Sequence, residues 1–163
     1  MSFKYNCLPF FVRGKKRSRE TFEIDDDIEI SVESTAAAAS PTRVDVRLKR
    51  RRRRFSHNVV FDEATYDSIK QRLHDIRERL NCVRLDPSEA RRIEVNSFEF
   101  NNNIMVFVGL NENGHVYVSF DHISGKRCHT VSLNEVQYSA LENMITRSII
   151  DGAINNLSSK CIE

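Results

Sequence analysis

Residues 104–122 read IMVFVGLNENGHVYVSFDH, and this stretch decides the fold of the C-terminal part of the chain. Apolar residues alternate with other residues on both sides of residues 111–114, which is the pattern of two strands joined by a turn. A two-residue loop would place the aliphatic side chains of the first strand opposite His115 and Tyr117. A three-residue loop, with Gly114 in the left-handed conformation, places them opposite the valines and the phenylalanine of the second strand. Hydrophobic matching therefore predicts the second register.

The predicted hairpin has two unlike faces. One face is almost wholly aliphatic and suits a core. The other face is mixed and is the natural place for a ligand, since it carries Met105, Phe107, Gly109, Asn111, His115, Tyr117, Ser119 and Asp121. Alternation in residues 93–100 predicts a strand before the hairpin, and residues 128–131 predict a strand after it. The four strands together predict an antiparallel sheet.

One long helix is predicted after the sheet. Ser132 and Glu135 have the spacing of a capping box. An apolar stripe at helical spacing follows, and it can cover the aliphatic face of the sheet: Leu141, Met144, Ile145, Ile149, Ala153, Ile154 and Leu157. Gly152 lies inside this stripe and favours a bend there.

The helix and its approach resemble those of the positive cofactor four family, whose members are single-stranded-DNA-binding transcriptional coactivators. The residues that carry the resemblance are Val131, Ser132, Leu133, Asn134, Gln137, Tyr138, Leu141, Ile150, Asp151, Ala153, Ile154 and Leu157. The resemblance covers about residues 97–157. It implies a curved four-stranded antiparallel sheet, one long helix, and a homodimer paired largely through the helices. It also implies nucleic-acid binding across the exposed sheet face, in the nucleus, after a disordered charged arm.

The charges of the sheet depart from those of the family. Where the family's strands carry Arg and Lys, this chain has Ile104, Gly109, Glu112 and Asp121, with His115 in place of a lysine and Ser124 in place of an aromatic residue. Lys126 and Arg127 keep the basic loop. Residues 91–163 hold six basic and eight acidic groups, so this part alone gains little from counterion release. Phe107 and Tyr117 remain as candidates for stacking on bases.

Residues 61–82 predict an amphipathic helix. Tyr66, Ile69, Leu73, Ile76 and Leu80 follow one another in steps of three and four, which draws one apolar stripe. We expect this helix to pack on the C-terminal domain, residues 90–160, or on its twin in a dimer. The alternative is a docking helix for another protein.

Residues 1–60 predict a disordered basic arm, with residues 33–42 as its linker. The net charge of the chain is only +2, but residues 43–54 hold eight basic groups. Such clusters are typical of nuclear import or of contact with a phosphate backbone. We assign import to Arg13, Lys15, Lys16, Arg17, Arg19, Arg47 and Lys49, and nucleic-acid binding to Arg50, Arg51, Arg52, Arg53 and Arg54 together with Lys126, Arg127, Phe107, Tyr117 and His115.

An acidic segment lies between the basic clusters. Its Ile28, Ile30 and Val32 alternate with polar residues, as in a strand that presents them on one side. Such a strand could add to a partner's sheet edge, as a SUMO-interacting segment does. It could also act as an acidic activation segment, or fold back on the basic clusters and mask them.

The sequence carries no pattern of an enzyme, a metal site or a membrane span. It has no phosphate-cradling glycine loop and no nucleophile motif, and its four cysteines lack paired spacing. We therefore expect a non-enzymatic nuclear protein of the α+β class that needs no cofactor. The leading hypothesis is a homodimeric transcriptional coactivator that binds single-stranded or melted DNA and contacts the transcription machinery. The alternative is a dimerising protein–protein interaction module that has lost nucleic-acid binding at its sheet face.

Overall fold

The computed structural model describes residues 10–12, 15–37, 40–51 and 57–160 of the chain. These residues form two antiparallel sheets. Sheet A has the strand order β1-β2-β3-β4-β5 and sheet B the order β6-β7-β8-β9. Sheet A consists of β1 (Phe10–Val12), β2 (Lys15–Glu23), β3 (Ile28–Ala37), β4 (Ser40–Arg50) and β5 (His57–Asp62), and sheet B of β6 (Ser97–Phe100), β7 (Ile104–Leu110), β8 (Val116–Ser124) and β9 (Arg127–Asn134).

Helices follow each sheet. After sheet A come α1 (Glu63–Gln71), α2 (Leu73–Leu85), a 3-10 helix (Pro87–Arg91) and the short α3 (Ile93–Asn96), and after sheet B come α4 (Glu135–Thr146) and α5 (Ile149–Lys160). The helix predicted at residues 61–82 is thus present as α1 and α2. The predicted single C-terminal helix is divided, because Ser148 has a φ of 61° that no continuous helix accommodates.

Sheet B confirms the predicted hairpin register. Val108 lies opposite Val118 and Val106 opposite Phe120, and Gly114 has a φ of 78°. Two local predictions are wrong. Residues 93–96 form a helical turn rather than a strand, and the cap of α4 is Asn134, whose side chain accepts from the Gln137 amide while the Gln137 side chain accepts from the Asn134 amide.

The prediction of a disordered arm is wrong for the part of residues 1–60 that the structure describes. Residues 15–23, 28–37 and 40–50, including most of the predicted linker, are strands of sheet A. Ile30 lies opposite both Phe22 and Leu48, and Val32 opposite Val46. The sheet forms because β4 also carries aliphatic residues at every second position, Val44, Val46 and Leu48, which are buried beside the aliphatic residues of the acidic strand.

The buried position of the acidic segment excludes the SUMO-like mode while the sheet is folded. Ile28, Ile30 and Val32 lie in the central strand and are at most 2% exposed. The charged residues of the same strand point to the opposite, outer face of sheet A. There they pair with described residues of the basic clusters, as the masking hypothesis predicted, through the ion pairs Arg19–Glu33, Lys49–Glu29 and Arg51–Glu29. Glu23 of β2 also pairs with Arg51.

The helices cross between the sheets. α5, which follows sheet B, packs on β2, β3 and β4 of sheet A, whereas α2, which follows sheet A, packs on β7 and β8 of sheet B. The edge strands β5 and β9 also run close together, and the ring centroids of Phe61 and Phe120 are 6.0 Å apart. The two sheets therefore share one continuous core.

The chain contains the same unit twice. Each unit is four antiparallel strands followed by two helices, residues 15–85 in the first half and residues 97–160 in the second half. Leu48 and Val59 are partners in sheet A, and the residues 72 positions later, Phe120 and Val131, are partners in sheet B. Between β3 and β7 the equivalent positions are 76 apart. The equivalence extends to single hydrogen bonds: the Arg51 amide donates to the Asp27 carbonyl at 2.8 Å, and the equivalent Ile123 amide donates to the equivalent Asn103 carbonyl at 3.1 Å.

Candidate nucleic-acid interface

The outer face of sheet B carries an aromatic pair. Phe107 on β7 and Tyr117 on β8 are half-buried, with ring centroids 6.3 Å apart and planes tilted by 51°. The pleat places both side chains on the mixed face of the predicted hairpin, away from the core. Aromatic rings in such a place can stack on nucleic-acid bases.

Gly109 allows the Tyr117 ring to lie flat on the sheet. A Cβ atom at this position would come within 2.6 Å of the Tyr117 hydroxyl oxygen and 2.8 Å of a Phe107 ring carbon. Real Cβ atoms do not approach other atoms so closely, so the glycine is required by the position of the ring. Gly109 and the two aromatic residues form what we call the aromatic face.

A cavity of about 400 Å³ opens beside the aromatic face, where the two halves of the chain meet. The second half supplies Tyr117, the β7–β8 turn, the end of β9 and the start of α4. The first half supplies the β2–β3 turn and the end of β4. The lining residues are Asp27, Arg50, Asn111, His115, Val116, Tyr117, Ser132, Leu133, Asn134 and Gln137. Three predicted site residues, Arg50, His115 and Tyr117, therefore lie around one cavity.

Arg50 is the cation of this cavity and is held in place from both halves. Its Nε atom lies 3.0 Å from the Asp27 carboxylate, and its guanidinium donates to the carbonyl oxygen of Ser132 on β9. An arginine fixed in this way presents its remaining donors in a defined direction, which suits a planar or tetrahedral anion.

A second contact between the halves lies at the same cavity. Gln137 donates to the Asp25 carboxylate at 2.7 Å. Burial opposes ionisation of Asp25, but the hydrogen bonds from Gln137 and from the amides of Ile28 and Asp27, with the charge of Arg50, hold the pKa of this carboxyl below its ordinary value. The cavity wall therefore stays charged and fixed at neutral pH.

The other predicted site residues lie away from the cavity. Lys126 and Arg127 are exposed at the β8–β9 turn, seven residues along β8 from Tyr117, a span of about 23 Å. Arg47, Lys49 and Arg51 lie on the outer face of sheet A, where Arg17 and Arg19 also lie. The side chains of Lys15 and Lys16, and the whole of Arg13, Arg52, Arg53 and Arg54, lie outside the described part of the structure.

Several cavity residues were not among the predicted site residues. Asp27 and Gln137 come from turns and helix starts whose local sequence indicates only a cap or a turn. Asn111 belonged to the mixed face, but its structural role was missed: its side chain accepts from the His115 amide at 2.9 Å and fixes the turn. No local pattern predicts that residues 27, 111 and 137 meet, because the contact depends on the crossing of the two halves.

Within the described residues, no three His, Cys, Asp or Glu side chains are grouped as metal ligands would be. The helices of that part of the chain are also too short or too polar to cross a membrane. The described cysteines Cys82 and Cys128 are free thiols.

Comparisons of the chain with protein-family models, with curated proteins and with solved structures find no match.

Proposed function

We propose that the protein binds single-stranded nucleic acid along the aromatic face, with a phosphate or nucleotide held in the adjoining cavity. The observation that carries the proposal is the joint placement of Phe107 and Tyr117 beside the fixed Arg50. Proteins that bind single strands combine aromatic rings that stack on bases with positively charged side chains that contact the backbone. Phe107, Tyr117 and Arg50 supply both. Asn111, whose side-chain oxygen fixes the turn, adds an amide nitrogen that can contact a base edge.

The cellular role follows from this binding mode. We infer that the protein acts in the nucleus as a transcriptional coactivator on melted DNA, in the manner of the family that residues 97–157 resemble. The dense cluster at residues 50–54 supports nuclear import. Arg50 and Arg51 are paired with carboxylates of the first half, so we infer that these two residues contribute less to import than their neighbours in the sequence suggest.

A second candidate function rests on a specific observation. Lys49, Arg50 and Arg51 are each paired with a carboxylate of the first half. This pairing reduces the electrostatic attraction that they can contribute to binding a phosphate backbone. A protein interaction module that does not bind nucleic acid fits this neutralised outer face of sheet A. The apolar side chains Leu85 and Ile93, which are exposed close to one another in sequence, would be its first candidates for a contact.

Homodimerisation stays a prediction. A single sheet-and-helix unit has a marginal core and would gain stability from a second copy. The first half already supplies the missing partner within the same chain, since α2 covers sheet B and α5 covers sheet A. Light scattering at micromolar concentration tests whether a second chain is bound in addition.

The binding proposal is tested with the full chain and fluorescent oligonucleotides. Anisotropy should show stronger binding to a single strand than to the matching duplex. Phe107→Ala and Tyr117→Ala should each weaken binding by about 1–3 kcal/mol. This loss of binding free energy should be nearly the same at low and at high salt. Leu85→Ala, which also removes an exposed apolar side chain, is the matched control and should bind normally.

Salt dependence separates the two candidate functions. Lys126→Ala or Arg127→Ala should reduce the slope of log affinity against log salt by about 0.7 per lost phosphate contact on a single strand. Absence of any binding by the full chain at low salt would favour the protein interaction module.

A further inference from the structure

Three ion pairs join the halves of the chain at their helices. One of them, between Arg84 of α2 and Glu135 of α4, is formed once. The other two are related to each other. Lys70 of α1 pairs with Asp151 of α5, with 2.6 Å between Nζ and a carboxylate oxygen. Arg77 of α2 pairs with Glu142 of α4, with 3.0 Å between the guanidinium and a carboxylate oxygen. Each pair takes one residue from the first half and one from the second. These four residues are called the crossing pairs below.

The crossing pairs are the same contact formed twice. In the first helix of each unit the equivalent positions are 72 apart, as the buried residues Tyr66 and Tyr138 indicate. In the second helix they are 74 apart, because Ile76, Leu80 and Val83 are buried in α2 where Ile150, Ile154 and Leu157 are buried in α5. Lys70 is therefore equivalent to Glu142, and Arg77 to Asp151.

The environment of the two pairs is also equivalent. Tyr138 lies under Arg77, whose guanidinium carbon is 5.1 Å from the ring centroid. Tyr66 lies beside Asp151, and burial together with this carboxylate raises the pKa of the Tyr66 hydroxyl above its ordinary value. Both tyrosines are buried, so the pairs lie over a closed apolar contact between the halves.

The charges of the crossing pairs are reversed between the two halves. Both equivalent positions are basic in the first half and acidic in the second half. Two first halves packed in the same way would bring Lys70 against Arg77 twice, and two second halves would bring Glu142 against Asp151 twice. At these four positions only a first half with a second half gives two attractive contacts.

We propose that this reversal is a pairing code, which reserves the surface between the units for the opposite half and excludes a symmetric dimer of like halves. The occupant of the helical face of each half is the other half of the same chain. Its high effective concentration favours pairing within the chain over exchange with a second copy. Any homodimer then has to use a different surface. Like-charge contacts at an interface select against a wrong partner even where the correct pair adds little affinity.

The test uses the full chain with charges reversed in one half at a time. Lys70→Glu with Arg77→Glu makes both halves acidic at the crossing pairs, and Glu142→Arg with Asp151→Lys makes both halves basic. Each double variant should lower the folding equilibrium constant in urea by about tenfold or more, because two attractive contacts become repulsive. The variant with all four changes should recover most of the loss.

The matched control reverses two basic residues whose ion pairs do not join the halves. Arg43 pairs with Asp45 in the first half, and Arg92 pairs with Glu89 in the segment between the halves. Arg43→Glu with Arg92→Glu changes the net charge as much as Lys70→Glu with Arg77→Glu, and it should cost clearly less stability. Equal losses in the control and in the acidic variant would overturn the proposal.

A second design avoids the ring contact of Arg77. Lys70→Asp and Asp151→Lys are made singly and together, which changes one crossing pair and leaves Tyr138 untouched. Recovery in the combined variant supports the code even if the double variants fail to fold. Losses that simply add, with no recovery in either combined variant, would show that the reversed charges do not direct the pairing.

Discussion

Replacing Gly109 by alanine is the most selective perturbation of the aromatic face. The new Cβ atom would meet the Tyr117 hydroxyl oxygen at 2.6 Å, the adjacent ring carbon at 2.7 Å and a Phe107 ring carbon at 2.8 Å. These atoms are the outer parts of two surface side chains, so the rings rather than the strand should move. The change therefore displaces the aromatic rings without removing any aromatic atom.

The expected loss follows from the stacking energy of one ring. Base stacking on an aromatic side chain contributes about 1–3 kcal/mol, so displacement of Tyr117 should weaken single-strand binding by about tenfold. The stability of the protein should change little, because β7 stays paired on both sides and alanine is no worse than glycine in a strand.

The assay compares Gly109→Ala, Tyr117→Ala and their combination by oligonucleotide anisotropy. If the alanine acts only through the Tyr117 ring, the combined variant should bind no worse than Tyr117→Ala alone, whereas displacement of Phe107 would add a further loss. Gly152→Ala is the matched control, since an alanine there meets nothing within 4 Å and lies in α5. It should leave binding unchanged and stabilise the protein by about 1 kcal/mol or less.

Normal binding by Gly109→Ala, with normal stability, would refute the stacking role of Tyr117. Additive losses in the combined variant would show that the alanine acts through Phe107 or another contact in addition to Tyr117. The first result would leave the fold intact and remove Tyr117 from the proposed function.

Three further predictions test the fold and its charges. Ile30→Ala in sheet A should destabilise the protein by about 2–5 kcal/mol in urea unfolding, whereas a disordered arm would tolerate the change. Burial raises the pKa of the Tyr66 and Tyr138 hydroxyls. The protonated hydroxyls therefore stabilise the folded state fully below pH ~10, and this contribution to stability is lost at higher pH. Absorbance titration should show the two phenols ionising only as the protein unfolds. Hydrogen bonding from Thr65 lowers the pKa of Asp62, so Asp62→Ala should cost about 1 kcal/mol at neutral pH and less as the pH falls below ~4, which urea unfolding at several pH values measures.

The second half of the chain could be predicted from its sequence because its information is local. Alternation in residues 104–122 gives the strands, and Gly114 selects the register through its left-handed conformation. The helical stripe from Leu141 onward gives α4 and α5. The division between the helices was placed at Gly152 instead of Ser148, because a serine carries no signal for a positive φ.

The first half was mispredicted because its pairing information is not local. Val44, Val46 and Leu48 alternate as clearly as the aliphatic residues of sheet B, but the basic residues around them, from Arg43 to Arg54, suggested a solvated arm. Their burial depends on the acidic strand β3, which supplies both the apolar partners and the opposite charges. The cavity was missed for the same reason, since its walls come from two halves that meet only after the helices cross.

The duplication also sets the number of binding sites. In sheet A the positions equivalent to Phe107 and Tyr117 are Ser31 and Asp45, which offer no ring to a base. The outer face of sheet A is instead an array of ion pairs, so the two halves have equivalent folds and unlike outer faces. We therefore predict one short-oligonucleotide site per chain, with a stoichiometry of one in anisotropy or calorimetric titrations. A stoichiometry of two would show that the charged face of sheet A also binds and that stacking is not the common requirement.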